Sequence, residues 1–355
     1  MRLSRRLVAL LLLLTAFGGA CAQPASELRG EAAPGPDQEV VAPSPTAEQA
    51  HEAEVEAWHV ERERKLASPT GYLALVGLTW IGEGRHTVGS HPDSDIQLPV
   101  GRAPERLGEI VVRGEQLRFV AAEGQSVTVD GERVTELALR ADTHADGRTT
   151  LEVHAPRGKG GADSDPSRAS TDPSRAEGAS DSAADIAFWM VRRGPRLGVR
   201  VRDAQSALRR EYAGTARFPV DMSWRVRARF VPFAVPRMVS IPSVHGVSSQ
   251  ELLAGELQFE LHGRTHSLLP LPESDGSYWL IFSDATSGDE SYSGGRFLVT
   301  EVADADGSTW IDFNRSYNPP CAYSSVTTCP LPPEGNALSV PVRAGERAPA
   351  SATHH

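Results

Sequence analysis

Residues 109–129 read EIVVRGEQLRFVAAEGQSVTV, and this stretch decides the fold class. Apolar and β-branched residues alternate with polar ones in the segments Glu109–Val112, Gln116–Val120 and Ser126–Val129. Each segment ends at a glycine-containing break, and the Asp130-Gly131 pair that closes the last one is a hairpin turn signal. A period of two with frequent turns predicts antiparallel strands joined by hairpins.

Segments of the same kind extend the pattern in both directions. They lie at Leu73–Ile81, His86–Val88, Ile96–Leu98, Thr149–Val153, Ile186–Val191, Gly198–Arg202, Ser223–Phe230, Met238–Ile241, Glu256–Leu261, His266–Leu269, Tyr278–Phe282, Phe297–Val302, Trp310–Phe313 and Leu338–Val340. Ala204–Tyr212 instead has the spacing of a short helix. The chain is therefore predicted to be mainly β, with two β-sandwich or barrel-like modules, one N-terminal helix and a short middle helix.

The N-terminal helix is predicted at residues 47–68. Thr46 and Gln49 have the spacing of a capping box, which marks a helix start. A stripe at helical spacing follows, formed by His51, Val55, Trp58, Arg62 and Leu66. The helix is expected to end near Ser68-Pro69, because proline disfavours helical backbone at the residue before it.

Composition divides the rest of the chain into predicted domains. Residues 22–46 are rich in Ala, Pro, Glu and Gln, which is typical of a flexible linker. The sequence DPSRA at 165–169 recurs at 172–176 among Ser, Gly and Asp, which predicts a disordered insertion. The predicted boundaries are 1–20 for a signal peptide, 21–46 for the flexible linker, 47–68 for the helix, 69–203 for an N-terminal β module with the disordered insertion at 157–184, 204–347 for a C-terminal β module, and 348–355 for a tail.

The first residues predict export. A short basic segment precedes the apolar run Leu7–Phe17, which is too short to span a bilayer permanently. Gly18-Gly19-Ala20-Cys21 resembles the bacterial lipobox, in which the cysteine is lipidated and becomes the first residue. Ala20-Cys21-Ala22 also fits ordinary signal cleavage, which would give a soluble periplasmic or secreted protein. We favour a lipid-anchored protein of the cell envelope, with Cys21 as the lipidation site.

The net charge and the absence of common catalytic motifs restrict the classes of partner that we expect. The formal net charge of −10 at pH 7 is unsuited to neutralising phosphates, so no nucleic-acid partner is expected. The sequence has no Gly-x-Ser-x-Gly elbow, no phosphate-binding glycine loop and no His-Glu-x-x-His. We therefore predict no cofactor and no metal. The expected partners are the membrane, through the lipid anchor, and a small ligand.

Two cysteines remain beyond the signal peptide and Cys21. Cys321 and Cys329 form an even pair in a chain that is expected to reach an oxidising compartment. A disulfide between them is predicted, and two buried free thiols are the alternative.

Part of the N-terminal module has a family resemblance. Thr87–Ser90, Asp95–Pro99 and Val129–Gly131 follow the pattern of forkhead-associated sandwiches, which these residues, within 80–135, distantly resemble. That family reads phosphothreonine with an arginine directly after the glycine, where Ser90 stands here. The resemblance therefore implies a related sandwich without phosphopeptide binding.

The most polar stretch covers residues 283–333. Its carboxylates, amides and arginines make candidate ligand-binding residues, because arginine binds carboxylates or phosphates bidentately. The candidates are Asp284, Thr286, Arg296, Asp312, Asn314, Arg315, Tyr317 and Asn318. The alternative is that these side chains satisfy the backbone of their own loops.

This stretch also carries a closer resemblance. The segment Asp312–Cys329, with Phe218–Asp221 and Gly294–Arg296, is similar to a bacterial and archaeal family known as domain of unknown function 1684. The resemblance covers residues 59–347 and implies family membership, with no activity attached to it.

Two functions are compatible with these features. One is a noncatalytic small-ligand-binding or structural protein of the envelope. The other is a hydrolase or transferase that uses Asp284, Asp312, Arg296 and Arg315. An enzyme should hold at least two of these side chains in one water-accessible pocket, whereas a structural protein should pair them with one another or with backbone.

Overall fold

Strands dominate the chain, as the alternation predicts. The computed structural model describes residues 46–154 and 185–350. The predicted signal peptide, Cys21, nearly all of the linker, the 157–184 insertion and the last five residues lie outside the described residues. Within them, no helix is long and apolar enough to cross a membrane.

Two α-helices lie in the described ranges, α1 (Ala47–Leu66) and α2 (Ala207–Arg210), in keeping with one N-terminal and one short middle helix. The strands are β1 (Leu75–Ile81), β2 (Gly84–Gly89), β3 (Ile96–Gln97), β4 (Gly108–Arg113), β5 (Gln116–Ala121), β6 (Val127–Val129), β7 (Glu132–Val134), β8 (Glu136–Ala138), β9 (Thr150–Val153), β10 (Ile186–Arg193), β11 (Arg196–Asp203), β12 (Arg225–Ile241), β13 (Ser249–Leu261), β14 (Arg264–Leu268), β15 (Leu271–Pro272), β16 (Tyr278–Phe282), β17 (Arg296–Val299) and β18 (Ser308–Asp312).

The first eleven strands form a β-sandwich. One sheet has the order β1-β11-β10-β9-β6-β7 and the other has the order β3-β2-β4-β5-β8. Apolar residues of both sheets share one core, in which the rings of Phe119 and Phe188 lie 6.0 Å apart. Directly after β2, Ser90 is buried and its hydroxyl donates to the carbonyl of Ala103 at 2.8 Å.

The outer face of the six-stranded sheet is the part of the sandwich that matters for the site. Phe188 and Met190 of β10 enter the sandwich core, so the alternation of a strand turns Trp189 to the outer face. Trp189 pairs across the ladder with Arg200 of β11. Residue 198 of β11 must be glycine here, because a Cβ atom would lie 2.9 Å from the Trp80 ring.

The remaining strands form two further sheets, with the orders β14-β13-β12-β18 and β15-β16-β17. Their core is aromatic: Phe313 contacts Phe259 at 5.8 Å and Phe282 at 5.6 Å between ring centroids. The chain after β18 contributes Leu338 and Val342 to the same core.

Helix α1 packs on this second group of sheets. The Thr46 side chain accepts from the Gln49 amide at 3.2 Å, and the Gln49 side chain accepts from the Thr46 amide at 2.9 Å, so the capping box is formed. On the packed face, the His59 Nε2 atom donates to the Asn314 carbonyl at 2.9 Å. Arg62 pairs with the buried carboxylate of Glu346 at 2.7 Å. Helix α1 therefore lies next to the 313–318 loop and borders any pocket that opens there.

Candidate functional site

Three of the sequence-derived candidates form a closed network. Arg296 is 0% exposed, and its guanidinium donates to Asp284 at 2.8 Å and to the carbonyl of Val342 at 2.7 Å. The other oxygen of Asp284 accepts from the backbone amide of Thr286 at 2.8 Å and from its hydroxyl at 2.7 Å. Burial lowers the pKa of Arg296, and the Asp284 charge opposes that shift. This network ties β17 to the chain after β18 and has no open side.

The side chains of two asparagines form hydrogen bonds to the backbone of neighbouring segments. The Asn314 amide group donates to the Asp221 carbonyl at 2.9 Å and accepts from the Asp221 amide at 3.1 Å. The Asn318 amide group donates to the Arg347 carbonyl at 2.7 Å, and its backbone N–H donates to Glu346 at 2.7 Å. Both side chains are 1% exposed or less, so they hold loops together.

The other three candidates, Asp312, Arg315 and Tyr317, line a groove. The Oδ1 atom of Asp312 accepts from the Asn314 amide group at 2.9 Å. Its Oδ2 atom lies 3.4 Å from His51 Nε2 and 3.5 Å from Arg315 Nε, without a hydrogen bond to either. The structure thus separates the eight candidates into five that are enclosed and three at the groove.

The groove has a volume of about 1170 Å³. Its walls are the C-terminal half of α1, the outer face of the six-stranded sheet, strands β16 to β18, and the segment 327–330. A volume of this size exceeds what a small metabolite fills and suits a ligand with an extended body.

In the lining of the groove, two guanidinium groups meet at a single hydroxyl. The Thr328 oxygen accepts from Arg193 Nε at 3.1 Å and from Arg200 Nη2 at 3.0 Å. A third cation, Arg148, lies over the ring of Trp189 at 4.3 Å. We call Arg148, Arg193 and Arg200 the arginine cluster.

The positive charge of this cluster is incompletely balanced. Asp142 pairs with Arg193 at 2.8 Å. Arg200 is only 7% exposed, yet it forms no ion pair with any carboxylate in the described ranges, and its Nε atom has no hydrogen-bond partner there. Burial lowers the pKa of Arg200, and the neighbouring charge of Arg193 lowers it further, while the charge of Asp142 opposes the shift. Since the Thr328 oxygen already accepts two hydrogen bonds, its own proton remains available for an acceptor in the groove.

Aromatic rings also line the groove. Tyr317 lies 6.0 Å from Trp58 and 5.7 Å from Phe297, and Phe297 lies 4.9 Å from Trp279. The Arg62 guanidinium lies 4.3 Å from the centre of the Tyr317 ring while it pairs with Glu346. This part of the groove therefore offers apolar and ring surface, and its cation is already neutralised.

Sequence reasoning missed Arg193, Arg200 and Thr328. A signal was present in the predicted strand Gly198–Arg202, where arginines alternate with valines. That alternation places the arginines of the strand on one face. It does not reveal that Thr328, 128 positions along the chain from Arg200, lies against that face.

The predicted disulfide is not formed in the structure. Cys321 and Cys329 are both buried and no disulfide joins them, as in the alternative of two buried thiols. The backbone N–H of Cys321 donates to the Cys329 sulfur at 3.1 Å, and Cys329 lines the groove next to Thr328. The sulfur therefore lies at the edge of the arginine cluster.

A family model described as "Protein of unknown function (DUF1684)" matches residues 210–347. The resemblance to this family is therefore confirmed over residues 210–347. The match begins well after residue 59, where the sequence resemblance was expected to begin, and it includes the whole Asp312–Cys329 segment. The arginine cluster lies before the matched region, with Arg193 on β10, Arg200 on β11 and Arg148 just before β9, whereas Thr328 lies inside it.

A solved structure is also similar to the chain. It is the solution NMR structure of an uncharacterized protein from Haloarcula marismortui, with 32% sequence identity, covering 40% of this chain and 80% of that one, at a TM-score of 0.34. A search of curated proteins found no match.

Proposed function

We propose that the protein is an exported, lipid-anchored binding protein of the cell envelope, and that its groove takes a ligand with an anionic group. The observation that supports the anion is the convergence of Arg193 and Arg200 on one neutral hydroxyl. A buried cation without a counter-ion costs several kcal/mol. A bound carboxylate, phosphate or sulfate removes that cost by accepting from the guanidinium groups.

The rest of the ligand is proposed to lie on the aromatic rings that line the groove. Trp58 and Tyr317 present their side chains there, half-buried, together with Trp279. Flat apolar surface of this kind contributes by burial, and the anionic group fixes the orientation. The class of ligand is therefore an anion attached to an apolar or ring-bearing body.

Titration with three simple probes tests this proposal. Acetate, inorganic phosphate and benzoate are titrated into the full chain at low salt and followed by NMR of the arginine Nε–H groups or by calorimetry. Saturable binding is expected, with benzoate tighter than acetate because its ring reaches apolar surface. Binding should weaken as salt rises, because salt screens the charges.

Two arginine variants give the matched comparison. Arg200→Met should abolish the binding. Arg196→Met is the control, because Arg196 is on the same strand but stacks on Trp80 at 4.1 Å and lies outside the groove. If none of the three probes saturates, or if both variants bind like the original chain, the arginine cluster is not an anion site.

Export and lipidation are proposed from the N-terminal sequence, with Cys21 directly after a small-residue cleavage site. Cys21→Ala, or treatment with globomycin, should change the processing and release the protein from the membrane fraction. Soluble export that neither treatment alters would instead support ordinary signal cleavage.

A disulfide between Cys321 and Cys329 is proposed for the oxidised protein. The contact of 3.1 Å between the Cys321 amide and the Cys329 sulfur supports it, because the two residues already adjoin one another. Peptide mass spectrometry of unreduced protein from the exporting cell should find the two cysteines linked. Full alkylation of both in that sample would oppose the bond.

A hydrolase or transferase is the second candidate function. Asp312 and Arg315 both line the groove, and the Oδ2 atom of Asp312 accepts no hydrogen bond, which favours this candidate over one based on Asp284 and Arg296. A panel of nitrophenyl esters and phosphates tests it. Turnover that Asp312→Asn removes would support an enzyme, and turnover equal in both chains would oppose it.

A further inference from the structure

We infer that Cys329 is a reactive thiol in the groove, that the arginine cluster selects anionic reagents for it, and that Cys321 resolves the product into a disulfide. This inference rests on the proposed anion site and adds a covalent reaction to it. The reagent class is a small disulfide or electrophile that carries a carboxylate.

The position of the sulfur is the first step. Cys329 follows Thr328 directly, and the Thr328 hydroxyl is the atom on which Arg193 and Arg200 converge. Cys329 lines the groove, whereas Cys321 does not. Arg200 also lies close enough for its charge to act on the Cys329 sulfur, so a carboxylate held by the guanidinium groups is near that sulfur.

The second step is the state of that sulfur. The Cys321 backbone N–H donates to it at 3.1 Å, and the Thr327 hydroxyl oxygen lies 3.6 Å away. Burial by itself would raise the pKa of Cys329, but the hydrogen bonds and the nearby charge of Arg200 lower it below its ordinary value. These contacts favour the thiolate, which is the nucleophilic form.

The third step is the order in which the two sulfurs react. Cys321 is 0% exposed. The hydrogen bond to the Cys329 sulfur and burial raise the pKa of Cys321. Cys329 is thus the attacking sulfur and Cys321 the resolving one, because attack requires both thiolate character and access.

The reaction with glutathione disulfide illustrates the chemistry. The Cys329 thiolate forms a bond to one glutathione sulfur, the glutathione disulfide bond breaks, and the first glutathione leaves as a thiolate that takes a proton from water. Cys321 then loses its proton and attacks the Cys329 sulfur, which releases the second glutathione. Two protein thiols are oxidised to one disulfide, and one glutathione disulfide is reduced to two thiols.

Paired alkylating reagents test the selection. The reduced full chain is treated with limiting iodoacetate or iodoacetamide, which differ in charge and deliver nearly the same group, and each cysteine is read separately by peptide mass spectrometry. Cys329 should favour iodoacetate over iodoacetamide by roughly tenfold relative to the same chain unfolded in urea, because a cationic site concentrates the anionic reagent. Arg200→Met should remove this preference, and Arg196→Met should keep it.

The resolving role has its own measurement. Glutathione disulfide should form the Cys321–Cys329 bond faster than the neutral bis(2-hydroxyethyl) disulfide does. Cys321→Ser should stop the reaction at a persistent glutathione adduct on Cys329. A chain in which Cys321 reacts first, or in which neither cysteine reacts before unfolding, overturns the inference.

The two proposals fail in different ways. If benzoate binds and Arg200→Met abolishes that binding, while iodoacetate shows no preference for Cys329, the thiol inference is wrong and the anion site stands. If none of acetate, phosphate and benzoate binds, the proposed function itself fails. Where both are right, benzoate should protect Cys329 against iodoacetate.

Discussion

Arg296 and Arg200 are both buried arginines, and their surroundings differ in kind. Arg296 donates to the carboxylate of Asp284 and to backbone carbonyls of the 342–346 segment, so its charge is matched, although its Nε atom has no hydrogen-bond partner in the described residues. Arg200 is 7% exposed and donates only to the neutral hydroxyl of Thr328, beside the second cation Arg193. The Arg296 guanidinium belongs to a closed network of an ion pair and hydrogen bonds, whereas the Arg200 guanidinium faces the groove.

The difference separates a structural role from a binding role. Removing a charge from water costs several kcal/mol, which an ion pair and hydrogen bonds offset where they are complete. At Arg296 that compensation comes from the protein. At Arg200 it is left to a molecule in the groove, which is why we propose that an anion binds there.

The largest expected effect concerns the closed network. Arg296→Met should lower the free energy of unfolding by about 3–5 kcal/mol, because it leaves the Asp284 carboxylate buried without a cation. Urea denaturation followed by circular dichroism measures the loss. Adding Asp284→Leu to this variant should restore part of the stability. A single variant as stable as the original chain would show that Arg296 is not a structural link.

His59 is a third buried basic side chain, and unlike the two arginines it can lose its proton in the ordinary pH range. Burial lowers the pKa of His59 from 6.5, although its hydrogen bond to the Asn314 carbonyl opposes the shift. The unfolded chain therefore takes up a proton below pH 6.5 that the folded chain does not. Stability from neutral His59 is complete above that pH and is lost as the pH falls below it.

The matching measurement compares melting temperatures at about pH 8 and about pH 5.5, a range in which histidine titrates. The drop should be larger in the original chain than in His59→Gln, whose amide still donates to the carbonyl but does not titrate. Equal drops would mean that His59 is protonated in the folded state.

A smaller effect is expected for the stability of Arg200→Met. Removing a buried cation that has no carboxylate partner should leave the free energy of unfolding within about 1 kcal/mol of the original value, or raise it. The same urea denaturation measures this change. A loss as large as that of Arg296→Met would remove the contrast between the two arginines.

The smallest effect is expected for the insertion. Strands β9 and β10 pair at Val153 and Ile186, so a short glycine-containing turn can join them after deletion of residues 159–184. We expect the free energy of unfolding to change by no more than about 0.5 kcal/mol and benzoate binding to be unaltered. The reason is that the composition of the segment is unsuited to a packed core. Loss of cooperative unfolding would show that the segment packs on the body.

Much of the local structure follows from the sequence. The alternation around residues 109–129 determined the β class, and Thr46 with Gln49 determined where α1 begins. Both depend on neighbours a few residues apart, so a local pattern suffices. The family was also visible in the Asp312–Cys329 segment.

The candidate site depended on tertiary structure. Sequence showed that Arg296 and Asp284 are polar residues in a loop-rich segment, but only packing made them partners of each other. Sequence likewise placed Arg200 on one face of β11, whereas the fold brought Thr328 against that face from 128 positions away. Strand periodicity determines which face a side chain is on, and contacts between distant segments determine whether its charge is matched.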